Sequence, residues 1–494
     1  MRKTGFDSQK YIKMQSEHIR ERIAHFGGKL YLEFGGKLFD DYHASRVLPG
    51  FRPDNKIRML SELRDQVEIV VTISANDIEK NKRRGDLGIT YDEDCMRLID
   101  VFRGYGFLVN SVALNQFDGQ PAAIAFENRL KKLGLNVYRL YRIENYPHDI
   151  RKIVSDEGFG RNDYIETTRS LVVITAPGPG SGKMSCCLSQ LYHENKRGVK
   201  AGYAKYETFP IWNLPLQHPV NLAYEAATAD LNDVNMIDPF HLEAYGKLTV
   251  NYNRDVEIFP VLRTIFERIY GESPYKSPTD MGVNMAGYGI VDDEACREAS
   301  KQEIIRRYYR AKKQLKEGTS GEGELHKIEL LMQQVDVEAD MRPCVKPALA
   351  LAERTGNPAA AIELADGTIV TGKTSELFGA CSAMMLNALK KLAGIPQEVD
   401  LISADVLRTI QELKTGYLHS HNPRLHTDEM LVALAISATN DPTARRAMDK
   451  IGELEDCDVH TTVILGSVDD GVFKRLRINL TSEPVYEGNA LYHK

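Results

Sequence analysis

The segment LVVITAPGPGSGKMS (171–185) has the residue pattern with the most specific chemistry in this sequence. An apolar run typical of a buried strand is followed by a glycine-rich turn, and then by Lys183 and an apolar helical pattern. Backbone N–H groups at the start of a helix lack intrahelical acceptors and carry partial positive charge, so a glycine turn there can surround an anion. The segment therefore predicts a phosphate-binding site, to which Lys183 adds a formal positive charge.

The residues predicted to bind the phosphate or nucleotide follow from this arrangement. They are Gly178, Gly180, Ser181, Gly182, Lys183 and Ser185, with Lys37 assisting. The segment resembles the P-loop, but Pro177 stands where that motif has Gly and Met184 where it has Ser or Thr. Ser185 replaces the missing metal-side hydroxyl only if the helix begins one residue later than usual. ATP with Mg²⁺ is the cofactor considered, and the alternative is a tight turn that needs glycine only for its backbone geometry.

A polar loop after the predicted strand 30–34 contains the candidates for catalysis. These are Asp40, Asp41 and His43, whose side chains can bind a metal ion or act as general acid and base. Ligands of open parallel sheets bind outside the carboxyl ends of the strands, so this loop and the glycine turn should border one crevice. A helix cap or a turn is the alternative role for Asp40 and Asp41.

For three other groups of polar residues, the sequence is compatible with either ligand binding or a structural role. The basic run at 80–84 suits a polyanionic ligand or a solvated loop. The polar loop 276–284 suits ligand contact or helix capping. His241, close to Asp238 in the sequence, is either a catalytic residue or a hydrogen-bonded structural one.

Strand and helix patterns alternate through the first half of the chain and must position these loops. The pattern predicts an α/β, Rossmann-like or P-loop-like domain with a doubly wound, mostly parallel sheet over 1–240. Helical patterns predict a mainly helical domain over 241–345. Strand and helix patterns predict a smaller α/β subdomain over 346–494, which ends in a pair of strands at 459–466 and 472–481. The six strand segments of the first domain are 30–34, 67–74, 109–115, 136–143, 171–175 and 199–206.

The stretch 360–394 resembles the opening of the cytidine deaminase fold. The shared features are a hairpin turn at Asp366-Gly367 and Cys381 near the start of a long apolar helix pattern. The zinc chemistry of that family does not carry over, because Ala383 stands where its proton-transferring Glu would be and no Pro-Cys-x-x-Cys pair follows. The resemblance implies a deaminase-like subdomain without zinc chemistry.

The composition of the chain restricts the cellular location and the kinds of partner that we expect. Among 494 residues, 63 Lys plus Arg oppose 69 Asp plus Glu, so no global positive field exists and nucleic acid is not expected as a partner. No apolar run approaches the roughly 20 residues that cross a bilayer, and the first residues lack the apolar core of a signal peptide. We expect a cytoplasmic protein with reduced thiols and no membrane partner, and a homo-oligomer is considered.

Segments along nearly the whole chain resemble one bacterial family, domain of unknown function 1846 (DUF1846). They are EFGGKLFDDYHASRVLPGF, NKRRGDLGITYD, APGPGSGKMS, YKSPTDMGVN and the deaminase-like tail. The resemblance implies an N-terminal α/β region, a helical region and a C-terminal α/β subdomain, and it implies no particular reaction.

The function predicted from the residues is binding of a nucleotide or a phosphorylated metabolite, by a phosphotransferase or an ATP-dependent ligase. Phosphoryl transfer needs little beyond positioning and charge neutralisation. One alternative is a non-catalytic regulator or scaffold that senses a small phosphorylated ligand. Another is a metal-dependent hydrolase, which uses Asp40, Asp41 and His43 or a histidine cluster at 419–426.

Overall fold

The computed structural model describes residues 3–36, 38–39, 41–84 and 87–488 of the chain. These residues divide into two compact units, one within 4–297 and the other formed by Lys3 together with 298–488. Helical residues of the predicted middle region belong to both units, because one long helix, Asp293–Glu317, extends across the boundary. None of the helices in the described ranges is both long enough and apolar enough to cross a membrane.

The N-terminal unit alternates strands and helices. Its strands are β1 Leu30–Phe34, β2 Val67–Ser74, β3 Leu108–Phe117, β4 Asn136–Tyr141, β5 Leu171–Thr175, β6 Gly202–Tyr206, β7 Asn235–Ile237 and β8 Val250–Tyr252. Its helices are α1 Ser8–His25, α2 Tyr42–Val47, α3 Asn55–Ser61, α4 Ala75–Glu79, α5 Tyr91–Gly104, α6 Pro121–Lys132, α7 Ile150–Ile153, α8 Lys183–Lys196, α9 Pro219–Ala227, α10 Pro239–Tyr245, α11 Asn253–Tyr270 and α12 Pro278–Met281, followed by α13 Asp293–Glu317. The predicted α/β class is confirmed.

The main sheet of this unit has six parallel strands in the order β4-β3-β2-β5-β1-β6. Strands β1, β2, β5 and β6 are buried along their whole length, which is typical of a parallel sheet covered on both faces. The strand order puts β5 between β2 and β1. The loops that follow these three strands therefore leave the sheet at neighbouring positions on its carboxyl edge.

Helices cover both faces of the main sheet. Tyr203 and Tyr206 of β6 project to opposite faces, because side chains alternate along a strand. The hydroxyl of Tyr206 bonds to that of Tyr11 on α1, whereas Tyr203 packs in a buried cluster with Leu188 of α8 and Phe266 of α11. Helices α1 and α8 therefore lie on opposite faces, as a doubly wound sheet requires.

The C-terminal unit has a smaller, mixed sheet. Its strands are β9 Ala359–Glu363, β10 Ile369–Lys373, β11 Asp458–Thr461 and β12 Asn479–Ser482, in the order β10-β9-β11-β12 with β9 antiparallel to both neighbours. Its helices are α14 Glu322–Gln334, α15 Val345–Thr355, α16 Ala380–Ala393, α17 Ala404–Glu412, α18 Thr427–Ser437, α19 Pro442–Met448 and α20 Ser467–Arg475, with a π-helical turn at Leu413–Tyr417. The predicted hairpin and long helix are present as β9, β10 and α16. The resemblance to the deaminase fold stays a prediction.

The prediction of a strand over 472–481, the second of the closing pair, is wrong. Most of 472–481 lies in α20 and the turn after it, and only Asn479–Ser482 forms a strand, parallel to β11. Buried Val472 and Phe473 lie on the face of α20 that packs against the core, and acidic residues occupy its first turn. A β-branched and an aromatic residue in a short segment favour a strand locally, but burial on one helical face decides the structure.

Candidate functional site

The glycine turn joins the carboxyl end of β5 to the start of α8, as the sequence predicts. Helix α8 begins at Lys183, its N-cap Gly182 has φ of +85°, and no side chain caps its first turn. Gly180 also has a positive φ, +76°, in the left-handed region that favours glycine. A Cβ atom at Gly178 would lie 2.2 Å from the hydroxyl of Tyr91. Glycine is thus required here for backbone geometry and for close packing.

Two neighbouring strands hold the turn through its carbonyl groups. The hydroxyl of Thr72 on β2 donates to the Ser181 carbonyl at 3.3 Å, and the amide of Asn115 on β3 donates to the Gly182 carbonyl at 2.8 Å. A Cβ at Gly182 would lie 1.7 Å from Nδ2 of Asn115. The hydroxyl of Ser181, a fully buried residue, donates to the Gly178 carbonyl at 3.0 Å. The carbonyl side of the turn is therefore engaged by the protein.

Lys183 and Ser185 differ in their surroundings. Half-buried Lys183 has neither an ion pair nor a side-chain hydrogen bond within the described ranges. Burial raises the pKa of the Cys187 thiol, one turn further along α8, and the Lys183 charge opposes that rise. The Ser185 hydroxyl interacts with that of Tyr146. The lysine is available to an anion, whereas the serine already has a partner.

Asp41, a predicted catalytic residue, is engaged in structural contacts. One carboxylate oxygen accepts from the backbone N–H of Ala44 at 3.2 Å and caps α2, and the other lies 2.8 Å from Nζ of Lys56. Burial disfavours ionisation, but the charge and hydrogen bond of Lys56 hold the pKa of Asp41 below its ordinary value. Asp41 is thus an ionised helix cap within a buried ion pair.

The remaining candidates of this loop are placed only in part. The His43 ring on α2 packs against Phe209 and Tyr224, with ring centroids 5.1 and 5.9 Å apart. Lys37 and Asp40 lie outside the described residues, so their predicted roles stay predictions. Because β1 and β5 are neighbours, the strand order favours the crevice expected between this loop and the glycine turn.

An open cavity lies beside the carboxyl end of β6 and along β8. One part of it is lined by the side chains of Lys205, Glu207, Tyr252 and Asp255. Nζ of Lys205 lies 2.7 Å from both carboxylate oxygens of Asp255 and 3.3 Å from Oε1 of Glu207. Burial raises the pKa of Glu207, Lys205 opposes this effect, and the Asp255 charge adds to it. The cavity therefore borders a buried, partly neutralised charge cluster.

None of these four side chains is among the residues predicted from the sequence. Lys205 lies near the end of the predicted strand 199–206 and Glu207 directly follows it, where a buried parallel strand is normally apolar. That departure is the signal available in the sequence. For the loop 276–284, the sequence allowed either ligand contact or helix capping. In the structure Ser277 caps α12, and four other residues of the loop line the cavity.

The remaining polar candidates have local partners. His241 bonds through Nδ1 to the Ser277 hydroxyl at 2.9 Å, which supports its structural interpretation. In the basic run, Lys82 pairs with Asp77 at 3.3 Å. Another member of the run, Arg84, pairs at 2.9 Å with a buried aspartate on α5, Asp94.

Metal-binding chemistry finds little support in the described parts of the chain. They contain no group of three or more His, Cys, Asp or Glu side chains placed to hold a metal ion. In the predicted histidine cluster, His419 and His421 are exposed, and Nδ1 of His426 lies 3.2 Å from a carboxylate oxygen of Asp469. The cysteines are all buried and free, and burial raises the pKa of Cys186 to about 12. Such thiols stay protonated and unreactive at neutral pH.

Comparison with known proteins identifies the family. The model described as domain of unknown function DUF1846, N-terminal, matches residues 4–336, and its C-terminal counterpart matches 340–492. A UPF0371 protein of Corynebacterium diphtheriae is 60% identical over 493 residues, which cover 99% of each chain. UPF0371 proteins of Corynebacterium urealyticum and of Streptococcus pneumoniae serotype 19F are 59% and 57% identical, over 99% and 100% of each chain. The chain therefore belongs to the DUF1846 family, whose relatives are bacterial UPF0371 proteins.

Proposed function

We propose that the protein binds the phosphate group of a nucleotide or phosphorylated metabolite at the glycine turn 178–183. One observation carries the proposal: the first turn of α8 has no side-chain cap, and Lys183 beside it has no partner in the described part of the chain. The carbonyls of Ser181 and Gly182 are engaged by Thr72 and Asn115. An anion at this position gains from the helix terminus and from the ammonium group.

Phosphoryl transfer or ATP-dependent ligation is the chemistry that we propose for such a site. These reactions depend on positioning and charge neutralisation, with Mg²⁺ supplying much of the charge when ATP is bound. Lys37, Asp40 and His43 are the candidates to assist, and Ser185 would have to release Tyr146 in order to bind a metal ion. The reaction itself is defined by whichever phosphate compound the turn selects.

A phospholigand-sensing regulator is the second candidate. The observation in its favour is that the carboxylate of Asp41, a predicted catalytic residue, is already used to cap α2 and to pair with Lys56. A regulator would bind the same phosphate compound and release it unchanged. Incubation of the protein with that compound and Mg²⁺, followed by product analysis, separates the two candidates.

A thermal-shift screen against inorganic phosphate, ATP, sugar phosphates and dinucleotides, with and without Mg²⁺, tests the binding proposal. A ligand at about 100 times its dissociation constant adds roughly 2.7 kcal/mol to the stability of the unit that binds it. We expect a shift for one phosphate class in the wild type and in a control, Lys132→Ala, which removes an exposed lysine at the end of α6. We expect that shift to be lost in Lys183→Ala. An undiminished shift in Lys183→Ala, or no shift with any phosphate compound, would overturn the proposal.

A further inference from the structure

The cavity beside β6 and β8 differs in chemistry from the glycine turn. We propose that it is a second ligand site, which takes a small uncharged molecule bearing several hydroxyl groups, such as a sugar or a cyclitol, with Glu207 as the hydrogen-bond acceptor. The proposal rests on the charge balance, the available polar atoms and the aromatic wall of the cavity. It does not depend on phosphate binding at the turn.

The charges around the cavity disfavour both anions and cations. Two carboxylates, of Glu207 and Asp255, face one ammonium group, of Lys205, so a phosphate or carboxylate ligand meets net repulsion. A cation bound to Glu207 would lie close to Lys205, whose Nζ is 3.3 Å from the same carboxylate. An uncharged ligand avoids both repulsions.

Glu207 is the most accessible member of the charge cluster. Its side chain is 27% exposed, against 10% for Lys205 and 11% for Asp255. The Tyr252 hydroxyl accepts a hydrogen bond from Nζ of Lys205 at 2.5 Å and donates one to Oε2 of Glu207. A carboxylate has about four lone-pair sites, so these contacts hold Glu207 in place and still leave capacity to accept from a ligand.

A donor completes the polar side of the site. The side-chain oxygen of Asn251 accepts from the backbone N–H of Tyr252 at 2.9 Å, and its Nδ2 has no partner among the described residues. A hydroxyl group both donates and accepts a hydrogen bond. The acceptor on Glu207 and the donor on Asn251 therefore match a molecule with more than one hydroxyl group.

Two aromatic rings form the apolar wall. Nε1 of Trp212 donates to the Asn284 carbonyl at 2.6 Å, so the one polar atom of this ring is already satisfied. The Phe209 ring stacks on Tyr224, with centroids 5.4 Å apart and an interplanar angle of 18°. Rigid aromatic surface packs against the C–H groups of a sugar-like ligand while its hydroxyls bond to the polar side.

Trp212 is the only tryptophan in the chain, so its fluorescence reports directly on the cavity. Titration with D-glucose and with myo-inositol should change the emission of the wild type in a saturable manner. Glu207→Ala should weaken the tighter of the two by about tenfold or more, because a hydrogen bond to a charged group is lost. Glu207→Gln keeps an acceptor oxygen and should bind with intermediate affinity. The control is Glu243→Ala, an exposed carboxylate on α10, which should bind as the wild type does.

Three results would overturn the proposal. They are the absence of any saturable change with either polyol, an affinity in both Glu207 variants equal to that of the wild type, and tighter binding of spermidine, a polycation, than of the polyols. Circular dichroism shows whether each variant is folded. If Glu207→Ala is not, the Glu207→Gln titration decides alone.

Discussion

At the scale of single residues, the buried pair of Asp41 and Lys56 couples the stability of the N-terminal unit to pH. Lys56 holds the pKa of Asp41 below the ordinary value of 3.8. The pair therefore stabilises the fold at pH values above 3.8, and this stabilisation is lost as the pH falls through the lower pKa of the folded state. Acid should destabilise this unit in part through Asp41.

Asp41→Asn tests this coupling. Removal of one partner leaves the Lys56 charge buried, so the free energy of unfolding at neutral pH should fall by about 3 kcal/mol. The variant should also lose less further stability than the wild type when the pH is lowered to 3. Urea unfolding over a pH series measures both effects. Asp54→Asn is the control, because its partner Arg52 is 60% exposed, and a loss as large as that of Asp41→Asn would contradict the account.

Single residues also show where prediction from the sequence stops. Lys183 and the glycines around it could be located, since a strand, a turn and a helix follow one another along 15 residues of sequence, 171–185. The charge cluster beside the cavity could not be located in this way, because Lys205 lies 47 and 50 positions before its partners Tyr252 and Asp255. The role of Asp41 depends in the same way on Lys56, which no local pattern connects to it.

At the scale of elements, the glycine turn makes a quantitative prediction. Gly180 and Gly182 both have a positive φ, but a Cβ at Gly180 meets open space, whereas one at Gly182 meets Asn115. Gly180→Ala should therefore lower the free energy of unfolding only through the strain of a left-handed backbone at alanine, by about 1–2 kcal/mol. Gly182→Ala should cost clearly more, because Asn115 must move and lose its bond to the Gly182 carbonyl. Denaturant unfolding compares the two variants, and equal losses would show that Asn115 does not restrain the turn.

Strands of the parallel sheet were the most predictable elements. The predicted bounds of β1, β2 and β5 agree with the structure, because strands buried on both faces have nearly continuous apolar sequences. The predicted 199–206 begins early, since β6 starts only at Gly202. The predicted strand 472–481 overlaps the end of α20, whose nine residues are too few to show the helical period clearly.

At the scale of the whole molecule, the two units make a calorimetric prediction. Each has its own buried core, with Phe259 in one and Met430 in the other. We expect two transitions on heating, and a phosphate ligand should raise the midpoint of one alone, since the glycine turn lies in Thr4–Arg297. Met430→Ala, which should cost about 2–5 kcal/mol, should lower the other alone. A single transition that shifts as one with both changes would contradict this expectation.

Backbone amide NMR of the deuterated protein locates the bound phosphate residue by residue. The probe is the phosphate compound that gives the largest thermal shift, titrated into the wild type and into Lys183→Ala. We expect the largest saturable amide shifts at Gly180, Ser181, Gly182 and Lys183, and we expect them to vanish in the variant. Shifts confined to other residues, or unchanged shifts in Lys183→Ala, would contradict this expectation.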